Sequence, residues 1–121
     1  MFKAAIPVFH VSSSVAAEEF YCNKLGFRRE FAYQPGDEPD PCYMGLIRDE
    51  ARLHISSFRD DGVSGSLVYL LVDDVDHLHE DFVRKGVVVD MQPTDQTWGN
   101  REMYVRDSDG NKIAFVGPKA C

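Results

Sequence analysis

A chain of 121 residues with 44% hydrophobic and 12% aromatic side chains is globular rather than disordered, and holds one domain rather than two independent ones. Its formal net charge of −7 speaks against nucleic acid or an anionic membrane as partner and suits a cationic one. No apolar run approaches the roughly 20 residues that span a bilayer, no secretory signal opens the sequence, and three cysteines at unhelpful spacings (Cys22, Cys42, Cys121) fit reduced thiols in a cytoplasm.

The first apolar stretch, AIPVFHV (5–11), reads as a strand whose proline suits a strand start or a sheet edge. SSSVAAEEFYCNKLGF (12–27) reads as a helix: Ser12 to Ser14 offer N-caps, Glu18 and Glu19 sit early, and Gly26 ends it. Short strands follow in RREFAYQ (28–34), CYMGLIR (42–48) and RLHISSF (52–58), with the acidic stretch QPGDEPDP (34–41) expected to be a mobile loop. After the loop RDDGVSGS (59–66) the order begins again. LVYLLV (67–72) is a strand and DDVDHLHEDFVRKG (73–86) a capped helix; VVVDMQP (87–93), REMYVRD (101–107) and KIAFVG (112–117) complete the set as strands.

Each half therefore reads β-α-β-β-β. The helix ends CNKLGF and VRKGVV echo one another, as do YMGLIRDEARLHI and EMYVRDSDGNKIAF. The repeat bears on Asp107, Asp109, Gly110 and Asn111, which have the look of a calcium loop. They occupy the place of Asp49 to Ala51 in the first half, a turn between antiparallel strands. A helix-flanked calcium loop also needs a bidentate glutamate at its twelfth position, where this chain has Pro118. A hairpin turn is the expected structure.

Two such modules, FYCNKLGF after the first strand, and the terminal WGNREMYVRDSDGNKIAF resemble the glyoxalase/bleomycin-resistance/dioxygenase superfamily over nearly the whole chain. That resemblance implies an α+β vicinal oxygen chelate fold. Its tandem modules, about 4–60 and 65–118 of one domain spanning 1–121, would form a curved mixed-sheet cup, and two chains would pair. Ser108 stands where the family usually has a proline in its D-P-D-G turn. The family's enzymes hold a divalent metal with His and Glu in the cup. The corresponding positions fall here on Ile6, Leu67 and Ala114, and only the fourth, His54, carries a donor. One imidazole is no site for zinc, manganese or iron, which need three or four donors. No metal and no cofactor are expected.

Apolar residues at those positions resemble the bleomycin-resistance branch, which binds its drug without altering it. Trp98-Gly99 matches that branch's W-G pair, and Pro7 resembles the proline where neighbouring chains exchange N-terminal arms. The expected function is metal-independent sequestration of a small aromatic or cationic ligand, such as a cationic glycopeptide antibiotic, by a homodimer. The alternatives are a glyoxalase-type lyase or isomerase, or another small-molecule enzyme of the superfamily, using His10, His54 or Glu102 as base or a metal placed differently, and a sensor or dimeric module without chemistry.

Strand alternation selects the side chains that would face the cup. Ile6, Val8 and His10 share a face, as do Arg52, His54 and Ser56; Glu102 lies with Tyr104, and Lys112 with Ala114. The candidate ligand-binding residues are Trp98, Tyr104, His54, His10, Glu102, Arg52 and Tyr43. Trp98 fits ligand stacking and a packing or dimer contact equally. His10 and His54 fit structural hydrogen bonding more readily than acid-base work. Arg101 and Glu102 are candidates for a rim ion pair, Tyr33 and Tyr43 for the pocket mouth or a dimer contact. His77 and His79, two apart on a helix, cannot share a metal. No cysteine has a base beside it, and GVSGS lacks the lysine of a phosphate loop, so neither supports catalysis.

Overall fold

The computed structural model describes residues 1–119, which divide into two compact units, Met1–Ser64 and a second from Gly65 onward. Cys121, read above as a reduced thiol, lies outside the described residues. Each unit is β-α-β-β-β, the module expected from the sequence.

In the first unit, β1 (Val8–His10) leads to α1 (Ser14–Glu18) and then to β2 (Arg28–Tyr33), β3 (Tyr43–Arg48) and β4 (Ala51–Ser56). The sheet order is β1-β4-β3-β2, with β1 parallel to β4 and the other pairs antiparallel. Strand β1 is shorter than the apolar run because Pro7 has no N–H for the ladder; its carbonyl still accepts from the His54 N–H at 2.9 Å. Ser13 caps α1 by accepting from the Ala16 N–H. The helix then widens into a π-helical stretch over Glu19–Lys24 and stops at Gly26, whose φ of +81° no ordinary side chain adopts cheaply. Arg48 donates from Nη1 to the Leu25 carbonyl at 2.6 Å, placing a cation on the helix's negative end. The core is Phe9, Leu46, Leu53 and Ile55 against Tyr21 and Leu25, all fully or almost fully buried.

In the second unit, β5 (Leu67–Leu71), α2 (Val75–Arg84), β6 (Val89–Asp95), β7 (Asn100–Arg106) and β8 (Lys112–Pro118) repeat the plan. The order is β5-β8-β7-β6, again with the first pair parallel. Asp74 caps α2 by accepting from the His77 N–H, and Gly86 at φ +74° ends it as Gly26 ends α1. Strand β6 begins two residues later than expected because the Val87 N–H is still bonded to the Phe82 carbonyl of the helix end. It runs through Pro93, which an edge strand with register shifts accommodates. Met103, Val105 and Ile113 pack with Phe82, whose ring meets Phe115 edge-on at 5.2 Å.

The aspartate turn is a turn. Asp107 accepts from the backbone N–H groups of Asp109 and Asn111 and from the Asn111 side chain at 2.9–3.0 Å, so its carboxylate organises the loop itself. Buried Asn111 in turn accepts from the Gly65 N–H at 3.0 Å and ties the turn to the start of β5.

The acidic loop before β3 is anchored where a mobile segment was expected. Asp40 Oδ1 accepts from the Ser57 hydroxyl at 2.5 Å and from the Ser14 N–H at 3.0 Å, and the Ser14 hydroxyl donates to the Pro39 carbonyl. One carboxylate thus joins the loop to the start of α1 and the end of β4. Partial burial of Asp40 opposes ionisation, but the Ser57 and Ser14 bonds outweigh it and hold the carboxyl below its ordinary range. A depressed folded pKa contributes stability above the unfolded value that is lost as pH falls through the folded one. Asp40→Asn should therefore cost about 1–2 kcal/mol at neutral pH. The difference from the parent should shrink in urea melts as pH is lowered below 4; a difference that stays constant to pH 2 would show that the charge is irrelevant.

Candidate functional site

Each sheet has one face on its own helix and one turned away, and the candidate residues lie on the faces turned away. They form two clusters, one per unit.

In the second unit, Glu102 projects from β7 beside Val116 and Thr94 and is completely buried, at 0% exposure. A buried carboxylate must be satisfied, and both of its oxygens are. Trp98 Nε1 donates to Oε2 at 2.9 Å and the Tyr104 hydroxyl donates to Oε1 at 2.8 Å. The indole itself stays 59% exposed on the loop between β6 and β7, where Gly99 at φ +105° makes the bend. Lys112 Nζ stands 3.9 Å from the centroid of the Tyr104 ring. Of the two rings bonded to Glu102, one is covered by a cation and the other is open.

Arg101 does not pair with Glu102 as a rim ion pair. Neighbours on a strand point to opposite faces. Arg101 bonds Asp76 through Nε and Nη2, both at 2.9 Å, and Asp95 through Nη1 at 3.2 Å. It clamps the N-terminal turn of α2 to the strand that enters the Trp98 loop.

In the first unit, Tyr43 and His54 lie on adjacent strands with the Tyr43 hydroxyl 2.7 Å from His54 Nδ1. Burial lowers the His54 pKa and favours the neutral imidazole, whose Nδ1 and the Tyr43 hydroxyl share one hydrogen bond. The Phe31 ring meets His54 edge-on at 5.3 Å and stacks with Tyr43 at 6.2 Å. Gly45, opposite Phe31 in the ladder, makes room: a Cβ there would run into the Phe31 ring. Tyr33 stacks on Phe58 at 5.9 Å. Arg52 is engaged by Glu30 on β2 at 3.0 Å, an exposed pair of little energetic weight.

His10 stands apart from this pair. Its Nδ1 donates to the Asp61 carbonyl at 3.2 Å, while the Ser56 hydroxyl donates to the Asp61 carboxylate at 2.9 Å, so both serve the loop after β4. His77 is exposed and His79 half-buried on α2. Cys22 and Cys42 are free thiols pushed up in pKa, first by burial and then by Glu18 and Asp40 respectively, which is the opposite of an activated nucleophile.

The family's metal does not fit. Directly beside His54 in the parallel ladder is Val8, and beside Ala114 is Tyr69; Ile6 and Leu67 lie two residues earlier on the same faces. Among the described residues no three His, Cys, Asp or Glu side chains gather as a metal would require.

Phe31, Phe58 and the Arg101 partners escaped sequence reasoning. The alternation in REFAY, with Gly45 opposite, is the one local signal that marks Phe31.

The Glu102 bond, reinforced by burial, pushes the Tyr104 phenol up to about 12. Its neutral form therefore stabilises the fold fully below the ordinary tyrosine pKa, and that stability is lost as pH rises through 10 toward 12. Tyr104→Phe should remove the most basic phenol from an ultraviolet titration and cost about 1–3 kcal/mol by leaving a buried oxygen unpaired. A titration of Tyr104→Phe that still shows that late phenol would contradict the assignment.

The glyoxalase/bleomycin resistance protein/dioxygenase superfamily model matches residues 7–115. Among curated proteins none matches the sequence significantly. Among solved structures, the bleomycin-binding protein of bleomycin-producing Streptomyces verticillus, complexed with copper(II)-bleomycin, is 28% identical with a TM-score of 0.74, covering 98% of both chains. A superfamily member from Sphaerobacter thermophilus is 24% identical with a TM-score of 0.77, over 97% of this chain and 98% of that one. The bleomycin resistance determinant encoded on transposon Tn5 shares the fold at 18% identity, with a TM-score of 0.77 over 98% of this chain and all of that one. With its paired βαβββ units and a family match over most of its length, the chain belongs to the glyoxalase/bleomycin resistance protein/dioxygenase superfamily.

Proposed function

We propose that this protein binds a small, flat, cationic ligand and sequesters it unaltered, in the manner of a bleomycin-resistance protein. The observation that carries the reading is Trp98, a large aromatic face left open to solvent while its N–H is fixed to a buried carboxylate. An open indole attracts flat rings and cations alike. The acidic net charge of −7 favours the approach of a cation. The likeness to the bleomycin-binding protein of Streptomyces verticillus supports the ligand class. The aromatic surface of Phe31, Tyr43 and His54 in the first unit offers a second place for a flat ring.

The Tyr43–His54 hydrogen bond favours the enzymatic alternative, because a phenol and an imidazole in direct hydrogen-bond contact are arranged for proton transfer. Glu102, in contrast, is spent on two hydrogen bonds, which counts against it as a base. Under the sequestration reading, bleomycin incubated with the protein is recovered unchanged.

Titration with metal-free bleomycin should quench or shift the emission of the single tryptophan. Trp98→Ala should lose about 1–3 kcal/mol of affinity, as for a buried aromatic anchor. Unchanged emission in the parent, together with unchanged affinity in the variant, would reduce Trp98 to a structural role.

We further infer that two chains pair. Edge strand β5 presents Leu67, Tyr69 and Leu71 on one face, and Leu71 is 81% exposed, an apolar row of the kind that invites association. Sedimentation should give a dimer at micromolar concentration. A stable monomer would count against the pairing.

A further inference from the structure

We propose that Glu102 is a positioning residue for Trp98, holding the indole's orientation through its N–H and strengthening the ring's attraction for cations. This deepens the ligand-binding reading and rests on it for its functional half.

Trp98 sits on a short loop, and an exposed side chain there would ordinarily sample several rotamers, whose loss weakens binding. Here the indole N–H is donated to Glu102 Oε2 at 2.9 Å, and Glu102 is itself immobile. It is fully buried, projects from the middle of β7, and takes a second bond from the Tyr104 hydroxyl at 2.8 Å. The loop is closed beneath the ring by backbone bonds from Gln96 N–H to the Asn100 carbonyl at 2.7 Å and from Gly99 N–H to the Gln96 carbonyl at 3.2 Å. Arg101 fastens the same loop to Asp95 and to α2. The indole is thus tethered at its backbone and at its nitrogen while its face stays open.

The carboxylate does more than hold. A hydrogen bond to a charged acceptor is stronger than a neutral one, and it polarises the donor. An indole donating to a carboxylate is more electron-rich over its face, so a cation placed there is bound more tightly. The buried negative charge adds a direct attraction in a setting where water screens it little. Lys112 already covers the neighbouring Tyr104 ring, so Trp98 is the face left for an incoming cation.

The single tryptophan makes the test direct, because a 15N-labelled full-length chain gives one indole N–H signal. Glu102→Gln keeps the size and removes the charge, its oxygen accepting from the indole N–H while its amide N–H donates to the Tyr104 oxygen. Glu102→Met removes the acceptors. The indole signal should move upfield in Glu102→Gln and further in Glu102→Met, and time-resolved fluorescence anisotropy should show a freer ring in the latter. Metal-free bleomycin should bind Glu102→Gln about fivefold more weakly, and that loss should shrink in a Trp98→Phe background to the part due to direct charge attraction. Should Glu102→Met not fold, the Glu102→Gln signal decides. An indole signal and ring mobility unchanged from the parent would overturn the proposal. A moved signal with unchanged bleomycin affinity would overturn its electronic half. If the parent does not bind bleomycin at all, the sequestration reading fails, while the indole signal still decides whether Glu102 positions the ring.

Discussion

One helix covers one face of each four-stranded sheet, and the rest of the structure depends on that constraint. In a strand, alternate side chains serve opposite faces, so every strand contributes one set of residues to its helix-backed core and another to the face beyond. The helix-backed sets are apolar in both units: Phe9, Leu53 and Ile55 in the first, Met103, Val105 and Ile113 in the second. The other sets carry the chemistry. His54, Tyr43 and Phe31 come together on one, Glu102, Tyr104 and Lys112 on the other. On these faces Ile6 precedes Val8, the ladder neighbour of His54, in the first unit, and Leu67 precedes Tyr69, the ladder neighbour of Ala114, in the second.

Within that frame a few polar groups do the positioning. Asp40 binds a loop, a helix start and a strand end with one oxygen. Asp107 folds its own turn. Glu102 is the most exacting of the three because it is entirely buried, and a buried carboxylate left short of donors costs more than its bonds return in water. Its two donors are Trp98 and Tyr104, so the residue with the greatest capacity to stack on a ligand is also the one that satisfies the core's buried charge. The open indole and the buried carboxylate share one hydrogen bond.

Much of this was legible in the sequence. Serine and aspartate caps, glycines after each helix and the repeated strand pattern located the two helical segments and the eight strands of the described residues, with ends displaced by a few residues. Val87 is the example: its apolar character reads as strand, but its N–H belongs to the end of α2. The grouping of Glu102 with Tyr104 followed from alternation alone. The pairing of Arg101 did not, because its partners Asp76 and Asp95 lie on other elements, and only the tertiary fold brings them near. The Phe31–Tyr43–His54 cluster was hidden for a similar reason. Cross-strand neighbours depend on register, and the shift between Arg29 and Phe31 sets which ring lies over Gly45. No linear pattern carries that information.

Binding of a flat cationic ligand at the open face of Trp98, without a metal, is the function proposed for this chain. It is tested most directly by a thermal-shift panel of bleomycins, fosfomycin, glutathione adducts and divalent metal ions, since only a species that binds the folded chain preferentially raises its melting temperature. A rise with bleomycin, abolished by Trp98→Ala, and none with fosfomycin, glutathione adducts or zinc, manganese, iron and nickel ions is the predicted result. A rise with a transition metal, matched by one tightly held ion per chain in elemental analysis, would contradict it.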